Sequence, residues 1–241
     1  MKQNIGPTSL VSYISFTLIF FIIKNQFKFP GTSWIWMFLL ISGIIQFINN
    51  LYLTSLPEIC GTYSVNSALS ATIVPWLCIF GVTCFCLIFI PGWLRVFSNT
   101  FGAGIANMAG MQEVVSKLFV PGAPSENHEM KETIALLYTN IGKFVNEINL
   151  DYEEMKNPDG VVLTNPDGTP KMKWDSLDAV MNVMGIDPSG KDDIKNDLYK
   201  KLIIKEDAGY FMWFILIGSI SVLISTNSLL LSTCNTVEFN L

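Results

Sequence analysis

The chain has 241 residues, half of them hydrophobic and only 15% charged, with a formal net charge of −5. A soluble domain carries about a quarter charged residues. Here the charges are also segregated, with none in 3–23, 29–57, 59–94 or 208–237. This pattern excludes an ordinary soluble globule, and an acidic balance with no basic run longer than Lys200-Lys201 excludes a nucleic-acid binder, which needs a basic face.

Taken in chain order, four apolar windows are candidates to cross a hydrocarbon core, which takes about 20 residues of helix. The first, 9–23, is the shortest. It is followed directly by Lys24-Asn-Gln-Phe-Lys28 with no small-residue cleavage site, so it reads as a retained span rather than a signal peptide. The second is 34–53, the third 71–94 and the fourth 210–231. Trp34, Trp36, Trp93 and Trp213 lie near window ends, where an aromatic belt is expected. The expected fold is mainly α: a multi-span helical membrane protein with three or four transmembrane helices. A mostly helical polar domain carries a short β-hairpin-like excursion. Residues 1–94 form the membrane region, 95–207 the polar domain, and 208–241 the fourth span with a short tail.

Lys24 and Lys28 lie between the first two spans, and Arg95 with most of the lysines follows the third. The 49–70 loop and the tail after Leu231 have no Lys or Arg. Positive charge marks the cytosolic side, so the polar domain is expected there, and the 49–70 loop and C-terminus on the other side. No Asp, Glu, Lys, Arg or His lies inside a proposed span, which disfavours an ion-coupled transporter. Asn227 is read as bonding a neighbouring helix, and Pro75 as a helix kink.

The third span leaves the membrane through IPGWLRVFSNTFG (90–102). Pro91 and Gly92 end the span, Trp93 sits at the headgroups, and Arg95, the chain's only arginine, is a cytosolic anchor. Phe97 continues the joint. Ser98, Asn99 and Thr100 offer N-cap oxygens for the next helix, and Gly102 and Gly104 offer room for close packing.

Beyond the joint, 104–119 has apolar residues at Ile105, Met108, Met111 or Gln112, Val115 and Phe119. Glu113 and Lys117 pair at i,i+4 on the other side. The segment reads equally as a core helix or as one lying on the membrane surface. A second helix is expected over 126–148, capped by Ser125, with Ile134, Leu137, Ile141, Phe144, Val145 and Ile148 on its apolar face. Two copies of NPDG, at 157–160 and 165–168, flank Val161-Val-Leu-Thr164 and predict type I turns around a short strand. They lack the alternating ligands of an EF-hand loop. Further helices are expected at 176–184, ended by Gly185, and at 188–207, with Ser189 and Asp192 as a capping box.

Little in the polar domain points to catalysis. Gly185-Ile-Asp-Pro-Ser-Gly-Lys191 matches part of a phosphate-binding loop, but Asp192 stands where Ser or Thr would hold magnesium, and no strand precedes it. His128 is the only histidine, and no nucleophile–base pair is apparent, so no enzyme, catalytic residue, cofactor, metal or small-molecule substrate is expected. Of five cysteines, Cys78, Cys84 and Cys86 lie within the third span as packing residues. Cys60 and Cys234 share the non-cytosolic side and are a candidate disulfide if that compartment is oxidising.

Several strings resemble, in order, blocks of the predicted membrane proteins of large nucleocytoplasmic DNA viruses. They are ICG (59–61), ATIVPW (71–76), IPGWLRVFSNTFG (90–102), LYKKLIIKEDAGYFMWFILIG (198–218) and N-x6-C from Asn227 to Cys234. The resemblance runs from about Ile59 onward and is patchy in the polar middle. Val96 stands where the family string has a second Pro, and Ala103 where it has Tyr. It implies a structural protein of the virion's internal membrane, a minor capsid protein that anchors this membrane to the overlying shell through its 95–207 domain. The implied partners are the lipid bilayer, other capsid or minor capsid proteins, and self-association. The alternative carried from the residues is a small channel or transporter without ion-coupling charges.

Overall fold

The computed structural model describes residues 5–27, 33–90, 92–119, 153–165, 168 and 170–231. The expected helix over 126–148, His128, Pro91 and Cys234 lie outside them. Two compact units are present, Met1–Val96 with Tyr210–Leu241, and Phe97–Gly209.

The first unit contains α1 (Ile5–Phe27), α2 (Ser33–Thr54), and a third span made of α3 (Val65–Pro75), a π-helical segment (Trp76–Gly81) and α4 (Val82–Phe89). The C-terminal part of the last helix, α9 (Asp192–Leu231), completes it. All four spans are long and apolar enough to cross a membrane, so the chain is a multi-span α-helical membrane protein. Pro75 does not break its span. It has no N–H to give to the preceding turn, and the helix continues through a widened coil in which the Val82 N–H reaches back five residues to the Leu77 carbonyl.

In lipid the outside of a bundle is as apolar as a core, so shape and polar bonding decide which face turns inward. On α2 the outward stripe is Trp36, Leu40, Ile44, Ile48 and Tyr52, while Ser42, Gln46, Asn50 and Thr54 face inward at four-residue spacing. The interior toward the Trp34 end is aromatic. Phe38 is fully buried and stacks on Phe214 with ring centroids 4.6 Å apart and planes 12° apart. Tyr13, Phe20 and Phe80 meet Phe38 edge-on, as ring quadrupoles prefer. The Tyr13 hydroxyl donates to the Phe214 carbonyl at 2.7 Å. Two glycines let these rings in: the Tyr13 ring fills the space a Cβ on Gly218 would need, and the Trp76 indole lies 3.0 Å from where one on Gly43 would stand. Lys24 closes this end, with its ammonium 4.5 Å from the Trp34 ring centroid.

The second unit comprises the rest of the joint, then α6 (Ala103–Met108), α7 (Met111–Leu118), β1 (Glu153–Glu154), β2 (Met172–Lys173), α8 (Asp175–Val183) and the start of α9. Ala106, Met111, Val115, Leu118 and Phe119 pack with Trp174, Leu177, Met181, Ile186, Leu198 and Leu202 in one core. The expected 104–119 helix is interrupted: Gly110 takes φ +94 between α6 and α7. Ahead of that break Ile105 and Met108 point outward (44% and 90% exposed) with Ala106 buried in their place, while Met111, Val115 and Phe119 are buried as expected, joined by Val114 and Leu118. Of the two readings offered for this segment, the core helix is the one the packing fits. Glu113 and Lys117 pair at 2.6 Å on its exposed side.

Both NPDG turns close as expected. The Gly160 N–H donates to the Asn157 carbonyl and the Gly168 N–H to that of Asn165, each at 2.9 Å. The excursion is an antiparallel pairing of β1 with β2 plus two single bridges. At its centre Met155, Leu163 and Lys171, spaced by eight residues, form a closed ring of backbone bonds. Met155 donates to Lys171, Lys171 to Leu163 and Leu163 to Met155, at 2.8–2.9 Å.

The final helix departs from expectation. It begins at Asp192, not 188, and runs without interruption to Leu231, so the amphipathic segment and the fourth span are one 40-residue element. Ser189 caps nothing. Its hydroxyl and backbone N–H both donate to the Asp187 carboxylate in a tight turn before the helix.

Candidate functional site

Two features of the chain go beyond generic packing: the membrane-exit joint and a buried polar cluster. The joint opens at Gly92, whose φ of +83 suits glycine alone. Trp93 is partly exposed and meets Trp213 edge-on at 5.9 Å, and Arg95 is exposed. These residues lie on α5 (Trp93–Phe97), which continues into a second π-helical segment, Ser98–Gly102, and then α6. Phe97 stacks on Phe101 one turn on, with centroids 6.4 Å apart.

The expected capping role of Ser98, Asn99 and Thr100 is not what the structure has. Phe97, just before them, is already helical, no side-chain cap bond forms there, and no helix begins at this point. Instead the Ala103 N–H reaches back five residues to the Ser98 carbonyl, the signature of a π turn. Ser98 is buried and Thr100 is exposed. The reason lies across the second unit, in the part of α9 ending at Gly209. A Cβ on Gly209 would stand 2.8 Å from the Ser98 nitrogen and 2.9 Å from its Cα, and one on Gly102 would run into the Lys205 carbonyl. Ser98 and Gly102 on one helix therefore meet Gly209 and Lys205 on the other with backbones in direct contact, the close approach that small residues permit. Gly104, also expected to allow close packing, has nothing within 4 Å of a Cβ position.

The polar cluster joins three spans. The Asn50 amide nitrogen donates to the Thr72 and Ser225 hydroxyls, both at 2.8 Å. The Gln46 amide donates to the Asn50 carbonyl oxygen at 3.1 Å and to Ser225 at 3.3 Å. Thr72 passes its own proton back to the Ala68 carbonyl at 2.7 Å. Gln46, Asn50 and Ser225 are at most 1% exposed. An amide without partners in hydrocarbon costs several kcal/mol, and this arrangement satisfies each from a neighbouring helix. Asn227, the residue the sequence singled out for that role, is exposed on the outer face of α9 instead. Gln46, Asn49 and Asn50 are legible as the amides of α2, but which of them face fully inward is not.

In the 49–70 loop, Cys60 is disulfide-bonded, while Cys78, Cys84 and Cys86 are free thiols. Leu56 and Ile59 of the same loop pack on Leu53, Ala71 and Leu229. In the second unit, the Lys191 ammonium donates to the Leu118 carbonyl at 2.6 Å, capping the end of α7, where helix carbonyls lack partners. Burial pushes its pKa down. The Ser189 hydroxyl and N–H hold the Asp187 carboxyl below the usual aspartate range. This accounts for the residues of the phosphate-loop-like string without phosphate. Among the described residues, no group of three His, Cys, Asp or Glu side chains could hold a metal ion. No protein-family model, curated protein or solved structure matches the chain.

Proposed function

We propose that the chain is a structural protein of a virion's internal membrane, a minor capsid protein that anchors this bilayer to the overlying shell. Its spans hold it in lipid, and the 95–207 domain supplies the protein contacts to other capsid components. The reading rests on the resemblance of the 90–102 and 198–218 strings to large DNA virus membrane proteins. The observation that carries it beyond resemblance is the polar cluster. Gln46, Asn50, Thr72 and Ser225 spend their hydrogen bonds on one another, as in a bundle built to be held together. A channel or transporter would instead turn such groups toward a pathway, so the anchor is favoured over that alternative. The Cys60 disulfide supports an oxidising compartment on the side of the 49–70 loop, with the polar domain on the cytosolic, shell-facing side.

Fractionation of purified particles tests this. Mild detergent that extracts lipid while leaving shells intact should leave the chain with the shells, and protease applied before detergent should spare it. Absence from purified particles, or complete release with the lipid, would refute the anchor.

A further inference from the structure

The outer face of α9 carries a pattern that the bundle does not use. Leu216, Ile220, Leu223, Asn227 and Leu230 follow one another at spacings of four, three, four and three residues, and all five are exposed. The four apolar members range from 44% to 50% exposed. This is the a/d seam of a two-stranded parallel coiled coil: leucine at each d position, isoleucine at one a position, and a single asparagine at the other. Lipid alone would cover the four apolar side chains equally well. It would not serve Asn227, whose amide has no partner among the described residues and lies one turn inside the end of the span.

We propose that this face pairs with the same face of a second copy of the chain. All copies insert with one orientation, so their α9 helices meet in parallel, which brings equal positions together. Asn227 then faces Asn227, and each amide both donates to and accepts from the other. No other residue type in the seam has that reciprocity, and a buried asparagine at one a position fixes register and selects two strands. The pairing rests on the membrane-spanning character of α9 and not on the virion role, so the two can fail separately.

Energy transfer between donor- and acceptor-labelled full-length chains in phosphatidylcholine vesicles, measured against protein-to-lipid ratio, tests the pairing. The wild-type chain should show saturable transfer. Asn227→Leu should weaken association about eightfold, the worth of the two interhelical hydrogen bonds lost from the pair. Ser228→Leu adds similar apolar bulk at an exposed position beside the seam and should leave transfer unchanged. Leu223→Ala should weaken it, and Ile48→Ala, on the outer face of α2, should not. Transfer no greater than random proximity at every ratio would overturn the proposal, as would equal behaviour of Asn227→Leu and Ser228→Leu. Pairing by a chain found absent from virions would leave this inference standing and remove the anchor.

Discussion

Gly102 and Gly104 lie two residues apart on one helical stretch, and replacing each by alanine should move stability in opposite directions. An alanine in place of glycine within a helix gains about 1 kcal/mol from the unfolded chain's lost freedom. At Gly104 the new methyl meets nothing within 4 Å, so that gain stands alone and the variant should be stabilised by up to about 1 kcal/mol. At Gly102 the methyl runs into the Lys205 carbonyl, with the Lys205 Cα only 3.1 Å away. These are backbone atoms that cannot swing aside, so the two helices must separate. Overpacking of this kind costs about 3 kcal/mol at the upper end of the usual range, and subtracting the propensity gain leaves about 2 kcal/mol of net destabilisation. Unfolding of the full chain in mixed micelles, followed by tryptophan fluorescence as denaturing detergent is added, would read both. A gap of about 3 kcal/mol between the two alanine variants is expected. If Gly102→Ala is as stable as Gly104→Ala, the backbone contact between Ser98–Gly102 and α9 is not what shapes the joint.

Two further outcomes follow from the polar groups. Asn50→Leu removes three hydrogen bonds inside the bundle. At about 0.6 kcal/mol for each in a membrane, it should destabilise by about 2 kcal/mol in the same micelle assay; an unchanged midpoint would mean the cluster carries no load. Asp187, held below the ordinary aspartate pKa by Ser189, contributes stability that is present above the unfolded value and lost as pH falls through the folded one. Ser189→Ala should therefore shift the Asp187 carboxyl titration upward, as read by carbon NMR of the full chain in micelles, and the contribution should shrink, its loss being complete at higher pH.

The spans were legible because long charge-free windows have few other uses, and the NPDG turns because each residue suits its own position in a type I turn. What the sequence concealed was facing. In an apolar solvent the hydropathy of a side chain does not say which way it points, so Asn227 reads as an interior amide although it faces outward, and nothing in the sequence turns Gln46 and Asn50 inward. The joint was misread for a related reason. Ser98, Asn99 and Thr100 have the composition of a helix cap, but the contact that governs them is with Gly209, more than a hundred positions away. Local chemistry cannot reveal that contact. The uninterrupted α9 was obscured by its own charges: the change from Lys205-Glu-Asp207 to an apolar run looked like the end of an element, whereas a helix backbone is indifferent to it.

The polar cluster also sets an order of events during synthesis. Asn50 enters the bilayer with its span, and its acceptor Thr72 follows 22 residues later, but Ser225 lies 175 residues downstream. At about 5–20 residues per second, that second acceptor emerges roughly 9–35 s after Asn50. For that interval the Gln46 and Asn50 amides sit in a nascent membrane bundle lacking its last helix. A ribosome stalled between the third span and α9 would therefore leave a membrane intermediate in which both amides lack their Ser225 partner, the state most open to capture by membrane chaperones or to pairing with the wrong chain.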